Sequence, residues 1–336
     1  MSATTRPVGN LTHMHIWMSS LRDLLRGEVR SELPRRSLVA ASAVGGDWSR
    51  HARRADPSPT PMRSELPLRL YLFGPLRAFI DSEVAIDEHF TRRKAKALLA
   101  LLYLERGRYI PKDELIERLW PNVDEMSADS GRLKQTVLVL RRALEGGSSR
   151  RTGWQYIIER GGTYCFNTQA TYRCDLEEYE QELALAQSDR QRGDADGALA
   201  HFQRAFALRR SELLPEFRYE DWAVGHISAE REEYLQALED AARLHGARGD
   251  AGGSVELLRR ATREDPLRES SALQLMDWLW RKGEPAEALR VYVRLRDGLA
   301  SRLQLEPDPK ITALYNAIRR DRNMGGQHGA GLSAVS

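Results

Sequence analysis

Gly131-Arg132-Leu133-Lys134-Gln135-Thr136-Val137-Leu138-Val139-Leu140-Arg141-Arg142-Ala143-Leu144, followed after a short loop by Trp154-Gln155-Tyr156-Ile157-Ile158-Glu159-Arg160-Gly161-Gly162-Thr163-Tyr164-Cys165-Phe166, decides how this chain folds. In the first run Leu133, Val137, Leu140 and Leu144 keep returning to one side at about 3.6 residues per turn, so Ala128 to Leu144 reads as a helix with one apolar face. In the second, two strand-like runs flank Arg160-Gly161-Gly162. A glycine pair between β-prone segments is the signature of a hairpin, because its tight turn needs backbone angles that only glycine adopts freely.

Upstream, Leu68, Leu70 and Leu72, then Leu76, Ala78 and Ile80, then Val84 and Ile86 alternate with polar residues, and Gly74-Pro75 and Asp81-Ser82 interrupt them. That period of two predicts short antiparallel strands. Two further helices follow, Arg92 to Arg106 and Lys112 to Trp120. Strands, three helices and a hairpin, in that order, are the plan of a winged helix-turn-helix, whose third helix enters the DNA major groove while the hairpin touches the minor groove or backbone beside it. Away from the Leu stripe, the third helix carries Arg132, Lys134, Gln135, Leu138, Val139, Arg141 and Arg142. Arg forks onto guanine, Gln bridges adenine, and Lys neutralises phosphate. The expected base contacts are Arg132 and Gln135, with Lys134 and Arg142 nearer phosphate and Arg160 at the hairpin tip for the minor groove. Arg141 and Arg142 have a second reading, as cations complementing the carbonyl end of their helix. Arg93 and Lys94, in the run Arg92-Arg93-Lys94-Ala95-Lys96, oppose the dipole at a helix start, which a phosphate would relieve.

From Leu176 to about Arg320 the pattern is helical throughout, with an internal echo. Gly193-Asp194, Gly249-Asp250 and Gly283-Glu284 each open a turn, and each is followed at the same offset by a small residue, Ala198, Ser254 or Ala288. Small residues there let two antiparallel helices approach closely, and the last two turns recur at the tetratricopeptide period. A single helix pair cannot bury its own apolar face, so stacking is required. The wider first spacing calls for an irregular or longer helix pair between.

The fold class expected is therefore mostly α with a small β component: residues 65–170 a winged helix-turn-helix and 171–322 an all-α, tetratricopeptide-like repeat. Residues 1–64 read as a poorly ordered extension and linker, with one amphipathic stretch at Leu11–Leu25 and the alternating prolines Pro57, Pro59 and Pro61, which no helix or inner strand sustains. Residues 323–336 read as a disordered tail.

Composition sets the outer bounds. Hydrophobic residues make up 41% and charged residues 29% of the 336, which suits a soluble globular protein. The apolar run Ala97 to Leu104 is far short of the roughly 20 residues that span a bilayer, and the amino end lacks the layout of an export signal. A cytoplasmic location and no membrane partner are expected. Net charge is +3, unevenly spread: Lys and Arg exceed Asp and Glu by 5 over residues 1–63 and by 3 over 64–170, and fall short by 5 beyond. Basic residues therefore concentrate where phosphate would be met. Two cysteines, Cys165 and Cys174, are too few for a disulfide framework or an all-cysteine zinc site. No nucleotide-cradling G-x-x-x-x-G-K-[ST], no G-x-G-x-x-G after a strand and no H-E-x-x-H occurs, so neither enzymatic activity, nor a cofactor, nor a metal is expected.

Three stretches together resemble a known family. Arg92-Arg93-Lys94-Ala95-Lys96-Ala97-Leu98-Leu99, then Lys112-Asp113-Glu114-Leu115-Ile116-Glu117-Arg118-Leu119-Trp120, then Leu140-Arg141-Arg142-Ala143-Leu144 are similar to the antibiotic-regulatory-type (SARP-like) transcriptional activators. These join an OmpR-like winged helix to a bacterial transcriptional activator domain built from tetratricopeptide-like helices. Cys174-Asp175-Leu176-Glu177-Glu178-Tyr179 resembles the start of that second domain, and Leu305-Glu306-Pro307-Asp308-Pro309 its end. The resemblance spans about residues 66–320. It implies a regulator of double-stranded DNA that binds direct repeats near a promoter, often as a homodimer, recruits RNA polymerase and resides on the nucleoid. One departure stands out: family members commonly carry polar or basic residues where this chain has Leu138 and Val139, apolar side chains suited to thymine methyl groups.

Two other classes fit parts of the sequence. A repeat domain alone can act as a scaffold whose concave face holds a peptide. Alternatively, the repeats form a small-molecule sensor gating DNA binding, with Trp222, Trp278, Trp280 and Tyr292 as pocket walls.

Overall fold

The computed structural model describes residues 68–80, 83–121, 126–145 and 154–330, with the side chains of 126–130 and 323–330 excepted. The Leu11–Leu25 stretch, the proline run and the Gly146–Ser149 loop lie outside the described residues.

Alternation builds the first sheet. Strands β1 (Leu68–Tyr71), β2 (Arg77–Ile80) and β3 (Glu83–Ile86) pair antiparallel, Leu70 opposite Ala78 and Ala78 opposite Ile86. Leu68, Leu70, Leu72, Leu76, Ala78 and Ile86 are all buried. Val84 breaks the pattern: regular alternation places it with Ile86, yet it is 56% exposed. The register shifts between Ala78 and Phe79, so that Phe79 faces Val84, and a bulge of this kind re-aims the side chains around it.

Helices α1 (Arg93–Leu104), α2 (Lys112–Leu119) and α3 (Met126–Glu145) follow, then the hairpin β5–β6 (Ile157–Arg160 and Thr163–Phe166). Gly161 and Gly162 at its tip both have positive φ, +55° and +78°, which is what a two-residue turn matched to strand twist requires. The short β4 (Ile110–Pro111), just ahead of α2, pairs with β6. Three helices with a β-hairpin wing are thus in place.

β7 (Tyr172–Cys174) then returns to the first sheet, parallel to β1, and closes the order β3-β2-β1-β7. Helix α4 (Asp175–Gln191) starts directly from it and pairs with α5 (Ala195–Leu208). The hairpins α6 (Asp221–Ala247) with α7 (Ala251–Glu264), and α8 (Glu269–Arg281) with α9 (Pro285–Leu303), follow, and α10 (Pro309–Ala330) packs on the last pair. Each turn is written in the sequence. Gly193, Gly249 and Gly283 sit at φ near +80°, a left-handed conformation that terminates a helix and disfavours a side chain. Asp194 and Asp250 then cap the next helix, each accepting from the amide of Gly197 or Gly253 at 2.9 Å, while Pro285 opens α9. Ala198, Ser254 and Ala288 are fully buried, as close helix approach demands. The irregular first spacing holds a strap, residues 209–220 with a 3-10 turn at Pro215–Phe217, and the 27-residue α6.

One apolar core runs from Leu68 in β1 to Ala261 in α7, shared by the winged and helical parts, and a second joins Ala242 and Val255 to Ile318. Polar bonds lock the same boundary. The Asp175 carboxylate, 9% exposed, accepts from the amides of Leu72 (2.8 Å), Phe73 (3.1 Å) and Leu176 (2.8 Å). From the strap, Leu214 N–H donates to the Leu72 carbonyl, while Gly74 N–H donates to that of Glu212. Glu216 accepts from Leu76 N–H and pairs with Lys96 Nζ at 3.0 Å. Cys165 and Cys174 are buried free thiols. Among the described residues no helix is long and apolar enough to cross a membrane.

Candidate nucleic-acid interface

The apolar stripe sets which way α3 faces. Leu133, Val137, Leu140 and Leu144 are at most 2% exposed, so the opposite side must look outward. At roughly 100° per residue, that outward side centres on Gln135 and Arg142, with Leu138 beside them. Lys134, Gln135 and Arg142 are exposed, and none has a hydrogen-bond or ion-pair partner among the described residues. Arg132 is also exposed, and its carbonyl accepts from Thr136 Oγ1. Arg132 and Lys134, two residues apart, point roughly 200° apart around the axis, onto opposite flanks of the face.

The start of α1 meets α3. A groove of about 340 Å³ is lined by Arg92, Arg93, Lys94, Gln135, Thr136 and Val139 among others, so the basic run and the third helix, far apart in sequence, share one surface. Its cations are not equally available. Arg93 Nη2 bonds Glu220 Oε1 at 3.0 Å on the helical half, and its guanidinium lies 6.0 Å from the Phe217 ring. Lys94 Nζ donates to the carbonyl of Leu119, the last residue of α2, and sits over Trp120. Arg92 precedes the helix without a capping side chain, and backbone carbonyls take up most of the first amides of α1: Arg93 N–H donates to Thr91, and those of Ala95 and Lys96 to Arg92. Lys96 from the same run is buried against Glu216 and the Asp87 carbonyl, turned away from this groove.

The wing forms a second basic surface. Arg141 is largely spent inside the protein: its Nε donates to the Ile157 carbonyl at 3.0 Å, and its guanidinium lies over Trp154 (5.3 Å) and Tyr164 (6.0 Å). Burial pulls the Arg141 guanidinium below its ordinary value. It braces the hairpin onto α3. Arg160 ends β5 at the exposed tip, 5.5 Å from the Tyr109 ring. Arg141, Trp154 and Arg160 line a neighbouring hollow of about 480 Å³. Arg92 belongs to the basic run already singled out in the sequence, whereas Thr136, Trp154 and Tyr109 at these surfaces escaped sequence reading. Val139, already placed away from the leucine stripe, stands four residues from Gln135 on the same face, whereas Thr136 stands four residues from Arg132 on the flank.

The aromatic residues suggested as pocket walls are packing residues. Trp222 is 7% exposed against Phe217, Trp278 and Trp280 pack on the second core, Trp280 Nε1 donates to Asp321, and Tyr292 stacks on Tyr315 at 4.2 Å.

Comparison with known proteins agrees with this arrangement. The model of the bacterial transcriptional activator domain matches residues 174–319, which begin at the last residue of β7 and run into α10. The regulatory protein DnrI of Streptomyces peucetius is 28% identical over 76% of this chain and 95% of its own length. AfsR of Streptomyces coelicolor is 30% identical over 75% of this chain, which spans only 24% of that longer protein. The solved structure of Mycobacterium tuberculosis EmbR, in complex with a low-affinity phosphopeptide, superposes with a TM-score of 0.62 at 26% identity, covering 76% of this chain and 65% of EmbR. Residues 174–319 thus form a bacterial transcriptional activator domain, and the chain is similar to the SARP-like transcriptional regulators.

Proposed function

We propose that this protein is a sequence-specific, DNA-binding transcriptional activator that reads promoter repeats through α3 and recruits RNA polymerase. The observation that carries the reading is the outward side of α3, where Lys134, Gln135 and Arg142 stand exposed and, among the described residues, unpaired beside the basic groove at the start of α1. In this account residues 65–170 are the DNA-binding domain and 171–322 the helical domain. Gln135 and Arg142 face base edges, Leu138 meets a thymine methyl, and Arg132 and Lys134 reach the phosphate walls on either flank. Arg92, with Arg93 and Lys94, takes a phosphate at the amino end of α1, where the helix dipole favours an anion. Arg160 reaches the adjacent minor groove, held there by the brace that Arg141 makes. Family likeness supports a homodimer on repeated half-sites, contact with RNA polymerase and a place on the nucleoid.

The test is selection from a randomised duplex pool with the full chain, followed by footprinting on the promoter beside its own gene. Enrichment of one motif in tandem copies supports the proposal. Equal recovery of all sequences by folded protein rejects it.

A further inference from the structure

Residues beyond 170 carry a net negative charge, yet one place among them is strongly basic. Where α5 ends and passes α6 and α7, a cleft of about 420 Å³ is lined by five arginines, Arg209, Arg210, Arg231, Arg260 and Arg263, against two carboxylates, Glu212 and Glu264. Pockets for apolar metabolites are walled mainly by hydrophobic side chains. This one is walled by guanidinium groups.

Part of that charge is neutralised within the fold. The Arg209 side chain, 5% exposed, bonds Glu230 at 2.7 Å and Glu264 at 3.0 Å, and its guanidinium stacks 3.8 Å from the Tyr234 ring centre. Burial alone pulls its pKa down, but Glu230 and Glu264 more than offset this, so it stays charged. Arg231 pairs with Glu264 at 3.8 Å, and Glu212 pairs with Arg218 at 3.1 Å. Arg210, Arg260 and Arg263 then remain without a carboxylate partner among the described residues. Arg260 is nonetheless held in place, 5.2 Å from the Tyr234 ring and 5.5 Å from Phe206. The carbonyl ends of α5 and α7 favour a nearby cation, but that does not explain three unpaired guanidiniums converging on one concave space.

We propose that this cleft binds a compact phosphate-bearing anion, with Arg210, Arg260 and Arg263 as its ligands and Arg209 as a fixed cationic floor. Guanidinium forks match phosphate oxygens in pairs, and aromatic stacking holds two of these forks before the ligand arrives. The volume suits adjacent phosphates better than a single small ion. The strap carrying Arg209 to Glu212 continues to the bonds with Gly74 and Leu72, which places the cleft one short segment from the winged half.

Calorimetric titration of the full chain with sodium pyrophosphate, at constant ionic strength, tests this. The proposal expects saturation at one per chain and a loss of at least about tenfold in affinity for Arg260→Gln/Arg263→Gln, the scale of one charge-assisted hydrogen bond or more. Should Arg260→Gln impair folding, the exposed pair Arg210→Gln/Arg263→Gln must show the same loss at an unchanged melting temperature. The α3 pair Lys134→Gln/Arg142→Gln must bind pyrophosphate as the parent does. Inorganic phosphate should bind more weakly than pyrophosphate. Tighter binding of adenosine triphosphate would identify a nucleotide as the source, and equal or weaker binding a free phosphate anhydride. Absence of saturable binding, cleft variants that retain parental affinity, or a loss that follows the α3 pair instead would each overturn the proposal.

Discussion

Replacing Asp175 by alanine should weaken the whole molecule more than any surface change, because one carboxylate holds the winged sheet to the first repeat helix. Its oxygens accept from three amides, those of Leu72, Phe73 and Leu176, at 2.8 to 3.1 Å. Burial pushes the Asp175 carboxyl above its ordinary value, while the amide donors pull it back. Each buried donor left without a partner costs about 1–3 kcal/mol, whereas removing the carboxylate also removes its own desolvation penalty. The balance for Asp175→Ala is a loss of about 3 kcal/mol, and for Asp175→Asn, which keeps one acceptor oxygen, about 1 kcal/mol. For a folded unit of this size 1 kcal/mol is worth roughly 2–4 °C, so alanine should lower the melting temperature by about 6–12 °C and asparagine by a third of that. Differential scanning calorimetry reads both directly. If Asp175→Ala melts within about 2 °C of the parent, this carboxylate does not hold the halves together, and the reasoning fails.

Three further outcomes follow from the geometry. A Cβ added at Gly246 would lie 2.0 Å from Trp278 Cζ2, so Gly246→Ala must displace the indole; urea unfolding should show a loss of about 1–3 kcal/mol, typical of overpacking. Glu105 is held well below the ordinary carboxylate range, first by His226 and then by Arg118 and Arg108, against the opposing effect of burial. A depressed folded pKa gives stability that is present above the ordinary carboxylate value and lost as pH falls through it. Melting temperature should therefore drop between about pH 5 and pH 3 more steeply in the parent than in Glu105→Gln, and identical slopes would contradict the assignment. Glu220 pairs with Arg93, and in the proposed interface it would compete with phosphate for that guanidinium. Glu220→Gln should raise DNA affinity by about two- to fivefold, the scale of an exposed ion pair, and fluorescence anisotropy that shows no gain would remove Arg93 from the interface.

Local physics made much of this fold readable. Gly193, Gly249 and Gly283 terminate helices through their own backbone angles, Asp194 and Asp250 cap the next ones, and the leucine stripe of α3 orients that helix without help from elsewhere. What escaped depended on contacts distant in sequence. Tyr172–Cys174 is too short to announce a strand, and only pairing with β1, about a hundred residues earlier, makes it one. Lys96 and Arg93 look alike in a basic run, yet the strap residue Glu216 draws one inward while the other reaches the groove. Arg141 and Arg142 are adjacent with the same charge; the position of the hairpin decides that Arg141 braces the wing and Arg142 faces outward. Val84 was misplaced by a one-residue register shift that no alternation rule foresees.

The central claim is that α3 reads DNA with its outward side, and the salt dependence of binding tests it most directly. Each phosphate contact adds about 0.9 to the slope of log affinity against log salt concentration, so Arg132→Ala/Lys134→Ala should lower that slope by about 1–2. Gln135→Ala should leave the slope unchanged and reduce preference for the selected motif over random duplex by about tenfold, the scale of one bidentate base contact. Measured by anisotropy on variants that melt like the parent, this separation of charge from sequence reading is the predicted result. Unchanged slope and unchanged preference in all of them would contradict the account and place the DNA-reading surface elsewhere on the protein.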